Sequence, residues 1–583
     1  MKLIHKIIVA GLGLPFMFGA TSCDDLDVVN PNLPTTEEFG KSATDLDEVI
    51  IACYNHIRME GTYARVGYLF DVLGGDELNS YSDNDWWRGH DYLNVPSTNE
   101  ISGWVLRDYS YAINACNEAL DAVEKIGLDP NSDKYKEIKG QASFIRGHCY
   151  YELACYYGSC PMITDYATYS DLDKMYVKNS TQDEIFDQVE KDLTYAMQNL
   201  PSRDKGGEWA GGRATCGAAA GYLARTLMFR HKYDEALKVL KEIIAGTYGT
   251  YRLVDDYGWN CDEAHENNEE SLFEIQFLPR ESQGNDKEYT PVNNSKSPTQ
   301  GHALDMVYGN ADVSGWNDLA ATPWLYQLFK SEKPTKKLPT GVTATIDPRL
   351  YWTLATYEPD YDNMEGFENV YYTTPITKTV ITGAHKGISV AKNTAGRLGL
   401  YSKVLELKCG VNLRLMRYSD VLLRAAECEN EVNGPTQQAI DWINQVRTRA
   451  GMKDLQLSDF PNADALFEQI ANVERPKEFG CEHGRLQDLK RWGFFYDSDR
   501  LAQIRKHSWT YWDDESKVGI MPTSEADASD SPLSNWTSGH EYLPMYQVDL
   551  NANYNLTGTS ANSGTANTPN FTVHPVVKGI GIQ

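Results

Sequence analysis

The sequence predicts a mainly α-helical protein with one loop-rich, irregular lobe carrying short strands. Two observations predict it. Apolar residues recur at helical spacing from about residue 44 to 246 and again from 413. Between them, over 247–412, Gly, Asn, Pro and Thr crowd in and the helical period is lost. A hydrophobic fraction of 41% over 583 residues is enough to give such a chain a packed core.

Taken in order, the chain opens with a processing signal. Lys2 and Lys6 precede an uncharged apolar run from Ile7 to Ala20, broken by Gly11, Gly13 and Pro15. The run is too short to cross a hydrocarbon core, which takes about 20 residues, and fits a cleaved leader instead. In ATSCDDLD (20–27) the small residues Ala20, Thr21 and Ser22 lead into Cys23. A cysteine there suits lipoprotein processing, in which the thiol and the new amino terminus are acylated. Three acyl chains exceed the two signals that firm anchoring needs. The predicted layout is a leader at 1–22, a helical region at 23–246, the insert at 247–412 and a second helical region at 413–583 with an irregular tail.

Helices are predicted at about 44–58, 104–126, 135–158 and 181–199, with an N-cap signal at Ser180 to Glu184. Within 135–158, Ala142, Ile145, Cys149, Leu153 and Tyr156 share one face. Residues 213–245 read as two helices joined near His231 and Lys232, a pair resembling a tetratricopeptide unit. In the insert, SLFEIQF (271–277) and YYTTPITKTVIT (371–382) look like strands. Beyond it, Leu415, Tyr418, Leu422 and Ala426 share a helical face, as do Ile440, Ile443, Val446 and Ala450, with Gly451 as a C-cap.

Composition excludes several functions. The net charge is −28, from 54 basic against 82 acidic residues. Such a surface repels nucleic acid, whose binding requires phosphate neutralisation. It also disfavours adsorption to an anionic membrane, leaving anchoring to lipid. Beyond Cys23 there are ten cysteines without a C-x-x-C pair, so no metal site is expected. Several, such as Cys149 and Cys428, fall on apolar helical faces. HENNE (265–269) lacks the second histidine of a zinc protease, SDNDWW lacks EF-hand spacing, and no nucleophile elbow or phosphate loop occurs. No enzyme activity and no cofactor are expected.

Aromatic residues in polar loops point to binding. In LNSYSDNDWWRGHDYLN (78–94), Tyr81, Trp86, Trp87 and Tyr92 stand among Asn84, Asp85, Arg88 and Asp91. In the insert stand Tyr289, Tyr308, Trp316 and Trp324. Sugars present C–H faces to rings and hydroxyls to polar groups, so Trp86, Trp87, Tyr289 and Trp316 are the candidate stacking residues, with Asn84, Asp85 and Arg88 as polar partners. Two adjacent tryptophans in an extended segment would face opposite ways, leaving at least one in water. The competing reading is that these rings pin loops to the scaffold. Trp324, beside Pro323, Leu325 and Phe329, reads as core.

A set of segments then carries a family resemblance: VVNPN (28–32), QASFIRGHCYYELACYYGSCPMIT (141–164), TIDPRLYWTL (345–354), LRLMRYSDVLLRAAECENEVNG (413–434), AIDWINQVRTRAG (439–451), VERPKEFGCEHGRLQDLKRWG (473–493) and EYLPMYQVDLNAN (541–553). Together, in this order behind a lipoprotein signal, they resemble RagB/SusD family nutrient-uptake lipoproteins. The acids Asp24, Asp25 and Asp27 resemble the signal that sends Bacteroidetes lipoproteins to the outer face of the outer membrane. The resemblance implies a SusD-like fold of about four tetratricopeptide-like helical pairs plus the irregular lobe. It implies a cell-surface lipoprotein, lipid-anchored at Cys23, that binds oligosaccharide or polysaccharide and passes it to a SusC-like TonB-dependent transporter. Glycan sites in the family are commonly assembled from the two aromatic regions above. Some members take peptides instead, and a lipoprotein enzyme or structural component is the remaining alternative. Three departures stand out: Glu482-His483-Gly484-Arg485 in place of Glu-Gly-His-Arg, Pro476 at a basic position, and a C-terminal segment without Trp-Pro-Ile-Pro. Glu482, Arg485, Asp488 and Trp492 read as scaffold whose charges must pair if buried.

Overall fold

The structure is a computed structural model and describes residues 43–80, 82, 85–279, 301–376, 388–404, 407–508, 511–512, 519–520, 536–558 and 571–582. Cys23 and the leader lie outside the described residues. Helices appear where the apolar period predicts them. The first half comprises α1 (Ala43–His56), α2 (Val66–Val72), β1 (Leu78–Ser80), α3 (Asp85–Asp91), α4 (Glu100–Lys125), α5 (Asp133–Tyr157), β2 (Cys160–Pro161), α6 (Leu172–Met175), β3 (Asn179–Ser180), α7 (Gln182–Asn199), α8 (Cys216–Phe229) and α9 (Tyr233–Ile244). Their starts are set by side chains that satisfy orphan N–H groups: Asn99, Ser132 and Thr215 each accept one, and Thr181 with Glu184 forms a full capping box.

These helices stack in sequence. The α1 helix packs on α4, α4 on α5, α5 on α7, α7 on α8 and α8 on α9. In α8, every residue from Cys216 to Phe229 is buried. Gly221 is needed there because a Cβ would sit 2.4 Å from the Met416 sulfur. The insert supplies β4 (Ser271–Ile275), α10 (Leu304–Tyr308), β5 (Leu319–Ala321), α11 (Pro323–Lys330), α12 (Pro348–Thr353), β6 (Val370–Tyr371) and β7 (Thr374–Pro375), then β8 (Leu413–Arg417). The C-terminal region contains α13 (Tyr418–Asn433), α14 (Gln437–Arg449), α15 (Ala463–Gln469), α16 (Arg475–Phe479), α17 (Arg485–Arg491), α18 (Ser498–Ser508) and α19 (Gln547–Ala552). Because α13 packs on both α9 and α14, it adds a fourth pair to the stack.

One helical expectation is corrected. Leu413–Arg417 is a strand, buried at every position and paired antiparallel with β4, and the helix starts only at Tyr418. Leu415 therefore does not share a helical face with Tyr418. Leu-Arg-Leu-Met-Arg is only five residues long and buried on both faces, too short for its period to separate strand from helix. In 371–382, only a two-residue hairpin, β6 with β7, lies within the described residues. Gly451 ends α14 at φ +72 as predicted.

Four of the segments that carry the family resemblance, 345–354, 413–434, 439–451 and 473–493, meet in buried ion pairs around Glu478. Glu478 of α16 accepts from Arg417 at the end of β8, from Arg449 at the end of α14 and from Arg349 of α12, the last at 3.3 Å. Its backbone carbonyl accepts from Arg417 and from the Tyr257 hydroxyl. Burial alone would raise the Glu478 carboxyl, but the three guanidiniums hold it far below the ordinary range. Glu482 accepts from Arg417 and Lys392 at 2.8 and 3.0 Å, Arg485 binds Asp76 with two hydrogen bonds, and Asp488 lies between Arg475 and Arg491. Trp492 is buried and donates to Glu427 at 2.8 Å. This cluster is scaffold, as its sequence implied. Pro476 lies in α16 directly after a π-helical turn at Ile470–Glu474, and His483 is buried against Glu152 at 3.2 Å.

All ten cysteines from Cys53 to Cys481 are buried and unpaired. Burial pushes the Cys160 and Cys261 thiols up to about 12, so they behave as small apolar groups rather than nucleophiles. No helix among the described residues is long and apolar enough to cross a membrane.

Candidate functional site

A two-strand ladder brings the two aromatic regions together. The β1 strand pairs antiparallel with β5, Leu78 opposite Ala321 and Ser80 opposite Leu319. The junction is tied by Asp318, whose carboxylate accepts from the Ser82 hydroxyl and the Trp87 indole; burial nevertheless raises its pKa. Trp316 follows α10, its N–H donating to the Met306 carbonyl at 2.6 Å, and its side chain is 42% exposed.

The Trp86–Trp87 pair lies on a helix, not on an extended segment, and this corrects the expectation for one of them. Successive helical residues are about 100° apart, so α3 sends one ring inward and the other sideways. Trp87 is 1% exposed, edge-on to Phe70 at 6.3 Å, and is core; as placed, its ring offers no face to a sugar. Trp86 is half-buried. It stands edge-on to Trp104 of α4 at 5.2 Å and 73°, with the Arg65 guanidinium 5.7 Å from its ring. Arg107 covers Trp104 in the same way at 5.9 Å. Arg65 is paired with Glu60, and Arg107 with Asp108 at 2.6 Å.

Beside Trp86 opens a cleft of about 630 Å³, within the range of ligand pockets. Its walls are Trp86, Arg88 and Tyr92 from α3 and its exit, Asn94, Asn99 and Glu100 from the turn into α4, and Tyr546 from the C-terminal segment. Arg88 is exposed and donates to the Ser82 carbonyl at 3.2 Å. Tyr546 can lie against α4 because Gly103 has no Cβ, which would meet its ring at 2.5 Å. The cleft thus combines three aromatic rings with amide, carboxylate and guanidinium groups, the composition that carbohydrate recognition requires.

Of the other predicted residues, Asp85 opens α3, while Asn84 and Tyr289 lie outside the described residues. Tyr308 is fully buried and Trp324, stacked on His507 at 4.0 Å, is core. Sequence reasoning missed Trp104 and Tyr546. Trp104 sits in a strongly helical run, where a ring reads as core. Tyr546 is distant in the chain and no local pattern ties it to Trp86.

The seat of α3 is pH-sensitive. Asp91, at its last turn, accepts from the Ser80 N–H at 2.9 Å, and burial pushes its carboxyl up to about 7. The unfolded chain releases this proton near pH 4. Asp91 therefore contributes its full stability below about pH 4 and loses it as the pH rises towards 7. Asp91→Asn, which cannot ionise, is expected to flatten the melting temperature between pH 4 and 7. Glu77 and Glu266, also raised by burial to about 8, give slopes of the same sign in both proteins, so the difference isolates Asp91. Parallel curves would show that Asp91 does not titrate there.

Comparison with known proteins gives a consistent result. A profile described as "SusD family" matches residues 269–564, and one described as "Starch-binding associating with outer membrane" matches residues 24–228. SusD-like protein P2 of Formosa agariphila is 23% identical over 478 residues, 80% of this chain and 87% of that protein. SusD-like protein P25 of the same organism is 24% identical over 540 residues, 88% and 93% of the two chains. Among solved structures, a SusD superfamily protein from Bacteroides vulgatus superposes with a TM-score of 0.70 at 24% identity, over 90% of this chain and 100% of that one. Surface glycan-binding protein A from Bacteroides thetaiotaomicron, solved in complex with laminarihexaose, gives 0.61 at 20% identity, over 88% and 99%.

Proposed function

This chain belongs to the SusD family and is non-catalytic, and from that premise we propose that it captures oligosaccharide or polysaccharide at the cell surface and hands it to a SusC-like TonB-dependent transporter for import. The observation that carries the reading is the cleft at Trp86, where three rings and a set of short polar side chains face one volume of solvent. Arg88 would hydrogen-bond sugar hydroxyls, and Trp316 would offer a second ring for a longer chain. A laminarihexaose complex of a protein with this fold supports the ligand class. The cleft walls are helix, turn and loop, without the strand edge that extended peptide cargo commonly uses. Anchoring through Cys23 would hold the cleft at the outer membrane surface.

Ring stacking and hydrogen bonds exchanged with water each return little, so the affinity is expected to be roughly micromolar to millimolar. That strength suits a ligand that must be passed on. The test is calorimetric titration of residues 24–583 with a panel of polysaccharides. At least one should bind, and Trp86→Ala should weaken it about tenfold or more. Binding that ignores Trp86→Ala, or a panel with no ligand at all, would sink the proposal. Turnover of any glycan would contradict the non-catalytic role.

A further inference from the structure

A second cleft of about 620 Å³ lies between α1, the turn at 208–213 and the end of β4. It shares no lining residue with the cleft at Trp86. It lacks tryptophan, and its accessible surface is mostly apolar, supplied chiefly by Ile51 and Ala52 of α1, with Ile57 and Ile275 buried at its base. Its one aromatic residue, Tyr54, has its hydroxyl occupied, donating to Gln141 and accepting from the Ala214 N–H. Ile51 is 56% exposed, although Val49, Ile50 and Cys53 of the same helix are buried. A large aliphatic side chain is thus left in water at the mouth of an apolar hollow.

The charge pattern is unusual in one respect. Most buried guanidiniums of this protein face a carboxylate, as Arg146 faces Asp192 and Arg225 faces Asp420. Arg58, which lines the cleft, has none among the described residues. It donates to Asn55 Oδ1 at 2.6 Å and to the Gln276 carbonyl at 3.2 Å, both neutral acceptors. Burial lowers its pKa with no opposing acid. On the opposite wall, Arg213 is paired with Glu208 at 3.0 Å. Of the carboxylates near the cleft, Glu274 is matched by Arg414 at 3.2 Å and Glu48 stands in solvent at the rim. A partly desolvated cation beside an apolar hollow is stabilised by an anion with an apolar body, because the pair forms a charge-assisted hydrogen bond in a low-dielectric setting.

We propose that this cleft is a second binding site, separate from the glycan site, which takes an alkyl carboxylate with its head group on Arg58 and its chain along Ile51 and Ala52. Its lining carries one ring, Tyr54, against three at the Trp86 cleft, which favours an aliphatic ligand over a glycan. The test is titration of residues 24–583 with octanoate and, as controls, octylamine and a glycan that binds at Trp86. Octanoate should bind in the millimolar range or tighter and octylamine about tenfold more weakly. Arg58→Gln should weaken octanoate about tenfold while leaving glycan affinity unchanged, and Trp86→Ala should do the reverse. Ile51→Glu, a change at an exposed position that does not threaten folding, should also abolish octanoate binding by repulsion. No octanoate binding, equal binding of octylamine, or indifference to both Arg58→Gln and Ile51→Glu would overturn the proposal, whatever the fate of the glycan site.

Discussion

Glu478→Ala is expected to lower the folding free energy by about 3–5 kcal/mol, among the largest single losses available in this molecule. The mutation leaves Arg349, Arg417 and Arg449 buried around the vacated position, each stripped of one carboxylate partner and left with Asp347, Glu270 or Glu482 alone to balance it. By contrast, an exposed pair such as Lys238–Asp234 contributes little, because solvent and salt screen it. Glu478→Gln separates shape from charge: it fills the space but removes the negative charge, and should retain most of the loss. Because the Glu478 carboxyl is depressed, its contribution is present above about pH 4 and fades as the pH falls through the acid range. Urea denaturation at pH 7 measures the effect. A loss below about 1 kcal/mol for both variants would mean that the network is stabilised by other means.

The neighbouring tryptophans should separate cleanly. Trp87→Ala removes a ring packed on Phe70 and hydrogen-bonded to Asp318, and is expected to cost about 3–5 kcal/mol of stability. Trp86→Ala removes a half-buried ring at the cleft and should change stability far less while removing ligand affinity. Thermal melts and titrations on the two variants give opposite rankings if the geometry of α3 is right. Equal stability loss in both would mean that α3 does not divide the rings between core and cleft.

The frame was legible in the sequence because its signals are local. The apolar period marked α1, α4, α5 and α7, and the Thr181–Glu184 box marked where α7 begins. The error at Leu413–Arg417 has the same origin, since a short run buried on both faces carries no period to read. The site was half legible. Adjacent tryptophans in a polar stretch pointed to the segment that lines the cleft, but a helix rather than an extended backbone carries them and sends the two rings in different directions. The Trp86 cleft also depends on Tyr546, brought in by a contact between distant parts of the chain that only the packing at Gly103 reveals. Arg58 gave no signal at all, because lacking a carboxylate partner is a property of its surroundings and not of its sequence.

The ladder between β1 and β5 is only three residue pairs long, yet it joins the segment that leads to the α3 rings to the one that follows Trp316. Insertions or replacements beyond its ends leave every hub contact of Glu478 untouched. Divergence among such proteins can therefore proceed by exchanging a pair of surface segments at little thermodynamic risk, and grafting both segments together, never one alone, is the route by which a new ligand preference would transfer from one relative to another.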